Sequence, residues 1–201
     1  MQIRELNKKI LKKLSSMLSR ECILMNILKV ILCLKPMADT SGIWEYTNAT
    51  QVIAAYDRDV LLGVLVADMK DEPKRYKSFW RGLYVKIVDV VQNLVFGSGV
   101  MPYNQANREM FAKYTEHYNP DGEIRFLAAN PDSKVKGIGT YLLNELSMRE
   151  AGKEIYLFTD TYCTYQFYER RGFERVGEKD IVLELSDDVG LKCLLYRKKL
   201  D

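Results

Sequence analysis

Seven residues, Lys134-Val135-Lys136-Gly137-Ile138-Gly139-Thr140, lie between a β-rich run and a helical run. They restrict this chain more than any other segment. Ahead of them, Glu123 to Ala129 (EIRFLAA) reads as a strand, and Pro131-Asp132-Ser133 opens a loop. Behind them, Ile138, Tyr141, Leu142 and Leu146 recur at helical spacing, which predicts a helix over 137–151 with Gly152 beyond its end. The first N–H groups of such a helix lack internal partners and point at the loop, where the helix dipole adds partial positive charge. Two glycines allow a ligand close to the backbone, and two lysines add charge. The segment reads as a cradle for a pyrophosphate. A tight strand-to-helix turn with solvated lysines is the competing reading.

Other phosphate loops fit less well. A Walker A loop needs G-x-x-x-x-G-K-[ST], which is missing. A dinucleotide fingerprint needs a third glycine where Leu142 stands. Asp160 is nonetheless placed to serve as its acidic ribose partner, so that reading stays open at this stage.

The rest of the chain supplies strands and helices around this unit. Gln2 to Leu6 reads as a short strand, and Leu6, Ile10, Leu14, Met17 and Leu18 step as an amphipathic helix with a lysine-rich outer face. A second helix covers about 22–34 and ends before Pro36; residues 37–50 form a loop. Gln51 to Tyr56 and Val60 to Met69 predict a hairpin with a three-residue connection, Asp57-Arg58-Asp59. Helices are predicted over about 79–96, ended by Gly97-Ser98-Gly99, and over 104–118. Then follow a strand at 154–158, a helix from Asp160 or Thr161 to Arg171, strand-like runs at 173–176 and 181–185, and a strand at 191–196.

Composition narrows the function. With 201 residues, the chain is read as a single domain, 1–201, with a helical insertion at 70–122. Hydrophobic residues make up 47% and charged residues 28%, and the net charge of +3 is too small to argue for nucleic acid. The apolar stretches at 22–34 and 79–96 are interrupted by Asn26, Lys29, Arg81, Lys86 and Asp89, so no membrane span or association is expected. His117, the single histidine, falls in a loop, and no C-x-x-C pair exists, so no metal site is expected. Without a convincing secretory signal, Cys22, Cys33, Cys163 and Cys193 are read as reduced residues of a cytoplasmic protein.

The segment Lys134-Val135-Lys136-Gly137-Ile138-Gly139 resembles the [Q/R]-x-x-G-x-[G/A] acetyl-CoA loop of the GCN5-related N-acetyltransferases, with lysine in the first position. Lysine is a competent phosphate partner. Downstream, Tyr168-Glu169-Arg170-Arg171-Gly172-Phe173 is similar to the family's Y-x-x-x-G-F ending. The two motifs stand in the family's order, and the resemblance spans about 123–200. It implies a mixed α/β fold: a central mixed sheet flanked by helices, here with the helical insertion ahead of the cofactor-binding strand.

The resemblance also implies an activity, transfer of an acetyl group from acetyl-CoA to a primary amine. Backbone groups of Leu127, Ala128 and Ala129 would pair with the pantetheine arm, and one of their amides would polarise the thioester carbonyl. Amides of Val135, Lys136, Gly137, Ile138, Gly139 and Thr140, with Lys134, would hold the pyrophosphate. Tyr168 would protonate the departing thiolate; the plainer reading is a packed helix aromatic. Glu123, fourteen positions before Gly137, matches the general base of the histone-acetylating branch. A half-buried strand position favours such a base; a solvated strand-end carboxylate is the alternative. The acceptor would be a small-molecule or protein amine, shaped by the 70–122 insertion and the 37–50 loop, with Trp44, Tyr46, Trp80, Tyr84 and Tyr103 as candidate liners. A homodimer is compatible with symmetry base rates. A non-catalytic acyl-CoA-binding module is the alternative function.

Overall fold

Val60–Met69 (VLLGVLVADM) is apolar at nearly every position, and a strand of that kind is stable only with both faces covered. It is buried almost throughout and lies inside a seven-stranded sheet. The structure is a computed structural model and describes residues 1–4, 49–73, 102–183 and 189–201. In chain order the elements are β1 (Gln2–Arg4), β2 (Gln51–Asp57), β3 (Val60–Met69), α1 (102–115), β4 (Gly122–Ala129), α2 (Ile138–Arg149), β5 (Glu154–Asp160), α3 (Gln166–Glu169), β6 (Glu174–Leu183) and β7 (Val189–Lys199).

The strand order is β1-β2-β3-β4-β5-β7-β6. Among these strands β4–β5 is the one parallel pair, and every other neighbour is antiparallel. A parallel pair needs a crossover, and α2 supplies it. Leu142, Leu143 and Leu146 of α2 pack on Leu65, Ala67, Ile124, Ile155 and Leu157. Gly63 lets the start of α2 sit directly on β3 and β4, because a Cβ there would stand 2.7 Å from both the Ala128 carbonyl oxygen and Cγ2 of Ile138. On the other face, Ala106, Met110 and Tyr114 of α1 recur every four residues and pack on Leu183, Leu191, Cys193 and Leu195.

Most predicted elements are present, with three corrections. The β2–β3 connection is two residues, because Asp57 pairs with Val60 and leaves Arg58 and Asp59 as the turn; a bulge at Ala55/Tyr56 accommodates the register. The predicted runs at 173–176 and 181–185 are joined: residues 174–176 and 181–183 belong to one strand, β6, whose polar middle, Glu178-Lys179-Asp180, pairs with β7. The helix read from Asp160 to Arg171 is confined to Gln166–Glu169. The helices predicted at 6–18, 22–34 and 79–96, and the residues Trp44, Tyr46, Trp80, Tyr84, Cys22 and Cys33, lie outside the described residues.

The cysteine expectation also needs correction. Cys193 is free and buried, and burial together with the nearby Asp160 charge pushes its thiol up to about 12. Cys163, half-buried in the turn after β5, is disulfide-bonded. Such bonds are rare in reducing compartments, so the cysteines no longer argue for a cytoplasmic location. No helix among the described residues is long and apolar enough to cross a membrane.

Candidate active site

The strands β4 and β5 share two rungs, Gly122↔Ile155 and Glu123↔Tyr156, and then part. The cause lies in β4. Val66 pairs with Phe126 and Ala67 with Ile124, so Arg125 is an extra residue, a bulge that bends the strand. Beyond it β4 stays with β3 as far as Gly63↔Ala129, while β5 stays with β7 as far as Asp160↔Cys193. The result is a fork. Leu127, Ala128 and Ala129 form one prong, and Leu157 to Asp160 form the other.

The glycine loop sits at the open end of this fork. Asn130 anchors its start: its N–H donates to the Leu62 carbonyl at 2.6 Å and its side-chain amide to the Leu61 carbonyl at 3.3 Å. Ser133 Oγ accepts from the Val135 N–H at 3.1 Å. Gly137 is left-handed, at φ 77° and ψ 12°, and turns the chain into α2. No side chain caps this helix and no carboxylate lies in its first turn, so neither position offsets the partial positive charge at its N-terminus. Lys134 and Lys136 are exposed beside it. At Gly139 a Cβ would meet the Phe167 ring, so the residue also makes room for α3 against α2.

Arg171 joins α2 to the segment after α3. Its Nε donates to Thr140 Oγ1 at 2.9 Å, a second guanidinium nitrogen bonds the same oxygen, and Nη1 donates to the Phe167 carbonyl at 2.9 Å. The guanidinium lies 3.7 Å from the Phe167 ring centroid. Sequence reasoning passed over this residue, although a cation three residues after a motif tyrosine was visible.

Tyr168 lies in α3, its ring edge-on to Phe167 at 5.2 Å and to Phe173 at 5.5 Å, and tilted against Tyr196 at 6.3 Å. Tyr196 in turn donates to Glu169 at 2.7 Å. These aromatic neighbours fix the direction of the Tyr168 ring. Asp160, offered above as a ribose partner, is 1% exposed, and Oδ1 accepts the N–H groups of Tyr162 and Cys163. With this carboxylate turned inward and a largely antiparallel sheet, the dinucleotide reading fails. Tyr103, read as a candidate acceptor liner, packs instead against the core that contains Met110 and Cys193.

Glu123 occupies the last rung before the fork opens. The Tyr156 hydroxyl donates to Oε2 of Glu123 at 3.4 Å, and the Arg125 guanidinium lies 3.5 Å from the same oxygen. Arg125 also reaches Asp68 on β3 at 3.2 Å. Asp68 and Tyr156 were not singled out in the sequence, because only strand register brings them to Glu123; Arg125, two residues farther along β4, was passed over as well. Ile124 faces the α2 core, so Glu123 faces the opposite side, where Tyr156 packs against Phe111 and Phe158. Tyr168 packs on the α2 side. The two candidate proton carriers therefore occupy opposite faces of the sheet. Among the described residues, no group of three or more His, Cys, Asp or Glu side chains is arranged to hold a metal.

A parallel pair opened by a β4 bulge, followed by a glycine turn and an uncapped helix, decides the fold. This is the GNAT fold. The acetyltransferase (GNAT) family model matches residues 100–173, a span that contains β4, the loop, α2 and the Y-x-x-x-G-F ending. Arylalkylamine N-acetyltransferase 2 from Aedes aegypti superposes with a TM-score of 0.63 at 12% identity, covering 100% of this chain and 99% of that one. The protein PH1933 from Pyrococcus horikoshii gives 0.58 at 18% identity, covering 100% and 98%. Aminoglycoside 6'-acetyltransferase type Ii gives 0.54 at 20% identity, also covering 100% and 98%. These likenesses establish the GNAT architecture. No curated relative matches the chain.

Proposed function

We propose that this chain is an N-acetyltransferase that moves an acetyl group from acetyl-CoA to a primary amine by direct attack. One observation carries the reading: the fork between β4 and β5 ends at the uncapped N-terminus of α2. A thioester arm with peptide-like amides suits the backbone edges that β4 and β5 turn toward each other beyond their two shared rungs. A pyrophosphate suits the helix end, the Gly137 turn and the exposed lysines.

In this reading Lys134 and the amides of Val135 to Thr140 hold the phosphates, and the Leu127–Ala129 prong holds the arm. Glu123 takes a proton from the ammonium of the acceptor, through water, which leaves a neutral amine to attack the thioester carbonyl. The C–N bond forms, the C–S bond breaks, and Tyr168 donates its proton to the leaving thiolate; the second proton, lost by the nitrogen as it becomes an amide, passes through water to restore Tyr168, and Glu123 returns the first to solvent. The acceptor is a small-molecule or protein amine.

The thermal midpoint with and without acetyl-CoA tests the donor. At about 100 times the dissociation constant, binding contributes about 2.7 kcal/mol, which is roughly a 5–10 °C rise for a chain of this size. The expected result is such a rise with acetyl-CoA and none with NADH or ATP, followed by amine-dependent thiol release in an amine panel. No rise at millimolar acetyl-CoA overturns the proposal. A rise with no thiol release on any amine replaces it with a non-catalytic acyl-CoA binder.

A further inference from the structure

Glu123 and Tyr156 are directly opposite on parallel strands, so their side chains leave the sheet on the same face. The Tyr156 ring has little freedom there. Phe111 of α1 lies 4.8 Å from it, Phe158 stands edge-on at 5.7 Å, and Tyr114 lies at 6.1 Å. Three aromatic residues from two elements, α1 and β5, thus hold one ring, and its hydroxyl ends at Oε2 of Glu123. Arg125, the bulged residue, approaches the same oxygen from the β4 side.

We propose that Tyr156 is a positioning residue for the acetyl transfer: it donates to Oε2 of Glu123 and, with Arg125, holds the carboxylate ionised and oriented where the fork opens. This rests on the reading of Glu123 as the base. Hydrogen bonds to the ionised form of a carboxylate favour that form. Burial, and then the Glu123 charge, raise Tyr156 well above the ordinary tyrosine range, so it remains a donor throughout the working pH range. Among the described residues, the charged and titratable groups around the pair include Asp68 from β3, Arg125 from β4, Glu154 from β5, Tyr114 from α1 and Arg197 from β7. Glu154 is occupied by Tyr114 and Arg197, at 2.7 and 3.3 Å. Of these groups, Tyr156 donates a hydrogen bond to Glu123 and Arg125 forms an ion pair with it.

The test uses the full chain, acetyl-CoA and any amine that turns over. In Tyr156→Phe the acid limb of the kcat/KM profile should move up by roughly half a pH unit, giving about a threefold loss on the limb and less on the plateau. A limb unmoved from wild type overturns the proposal. A second readout needs no acceptor: carbon-13 NMR titration of glutamate carboxyls, with the Glu123 signal assigned by Glu123→Gln. Its midpoint should rise in Tyr156→Phe and in Arg125→Gln; an unchanged midpoint in both overturns the positioning role. Retention of full activity and of the acid limb in Glu123→Gln instead removes Glu123 as the base, and the proposal falls with its premise.

Discussion

The ring of Phe167 occupies the space a side chain on Gly139 would need: a Cβ built there falls 2.8 Å from Cζ and 2.9 Å from Cε2 of the ring. Arg171 stacks on that ring and bonds the Phe167 carbonyl, so retreat of the ring is opposed. Gly139→Ala should therefore overpack the contact between α2 and α3 and cost about 1–3 kcal/mol. Urea unfolding checks this, and Phe167→Leu in the same chain should recover part of the loss. Wild-type stability in Gly139→Ala alone would mean the contact is looser than described.

Gly137 poses the opposite case. A Cβ there meets nothing within 4 Å, but the backbone is at φ 77°. The expected penalty is conformational, about 1–2 kcal/mol for Gly137→Ala. Gly137→Asn should lose less, because asparagine tolerates the left-handed region. Equal melting of the two variants would argue against a conformational origin.

Removal of the Tyr168 hydroxyl separates its two readings. If it protonates the thiolate, Tyr168→Phe should lower kcat and kcat/KM together by about a hundredfold and leave the acetyl-CoA thermal shift unchanged. If the ring only packs among Phe167, Phe173 and Tyr196, turnover should stay within a few-fold of wild type.

Near the start of β5, ahead of the joined rungs, Gln51 donates to both Glu72 and Glu150 at 2.9 Å, and Lys153 bridges the same two carboxylates. Burial pushes Glu72 up, but bonds from Gln51 and Lys153 bring it below its ordinary 4.5. A lowered folded value means the stabilisation is present above 4.5 and is lost as the pH falls through the folded value. Glu72→Gln should thus lower the thermal midpoint at pH 7 by a few degrees at most, since a partly exposed pair contributes up to about 1 kcal/mol. The difference from wild type should close in acid. A gap that persists at pH 3 would assign the effect to something other than charge.

The segment from β4 to α3 was legible because two signals agreed there: a change from strand to helix periodicity, and glycines at the turn. The fork was not. It depends on Arg125 being an extra residue opposite β3, and a bulge leaves no distinct mark in EIRFLAA. β6 was divided in two because Glu178, Lys179 and Asp180 lie on an edge strand, where one side of the ladder faces solvent and the hydrophobic alternation is weak. Glu123 could be nominated by its spacing from Gly137, but its surroundings could not. Asp68 and Tyr156 reach it through pairing with two different strands, and a single sequence does not reveal register.

The two rungs between β4 and β5 have a mechanical meaning as well. They sew together two antiparallel leaves, β1 to β4 with α2 laid on the first and β5 to β7 with α1 laid on the second. Each leaf is laced along its whole length, while the seam between them is stitched at one end. The slot that would receive the donor is that seam. A ligand seated there acts as further stitching, so amides along Leu127–Ala129 and Leu157–Asp160 should gain protection from hydrogen exchange together, as one unit, when it binds.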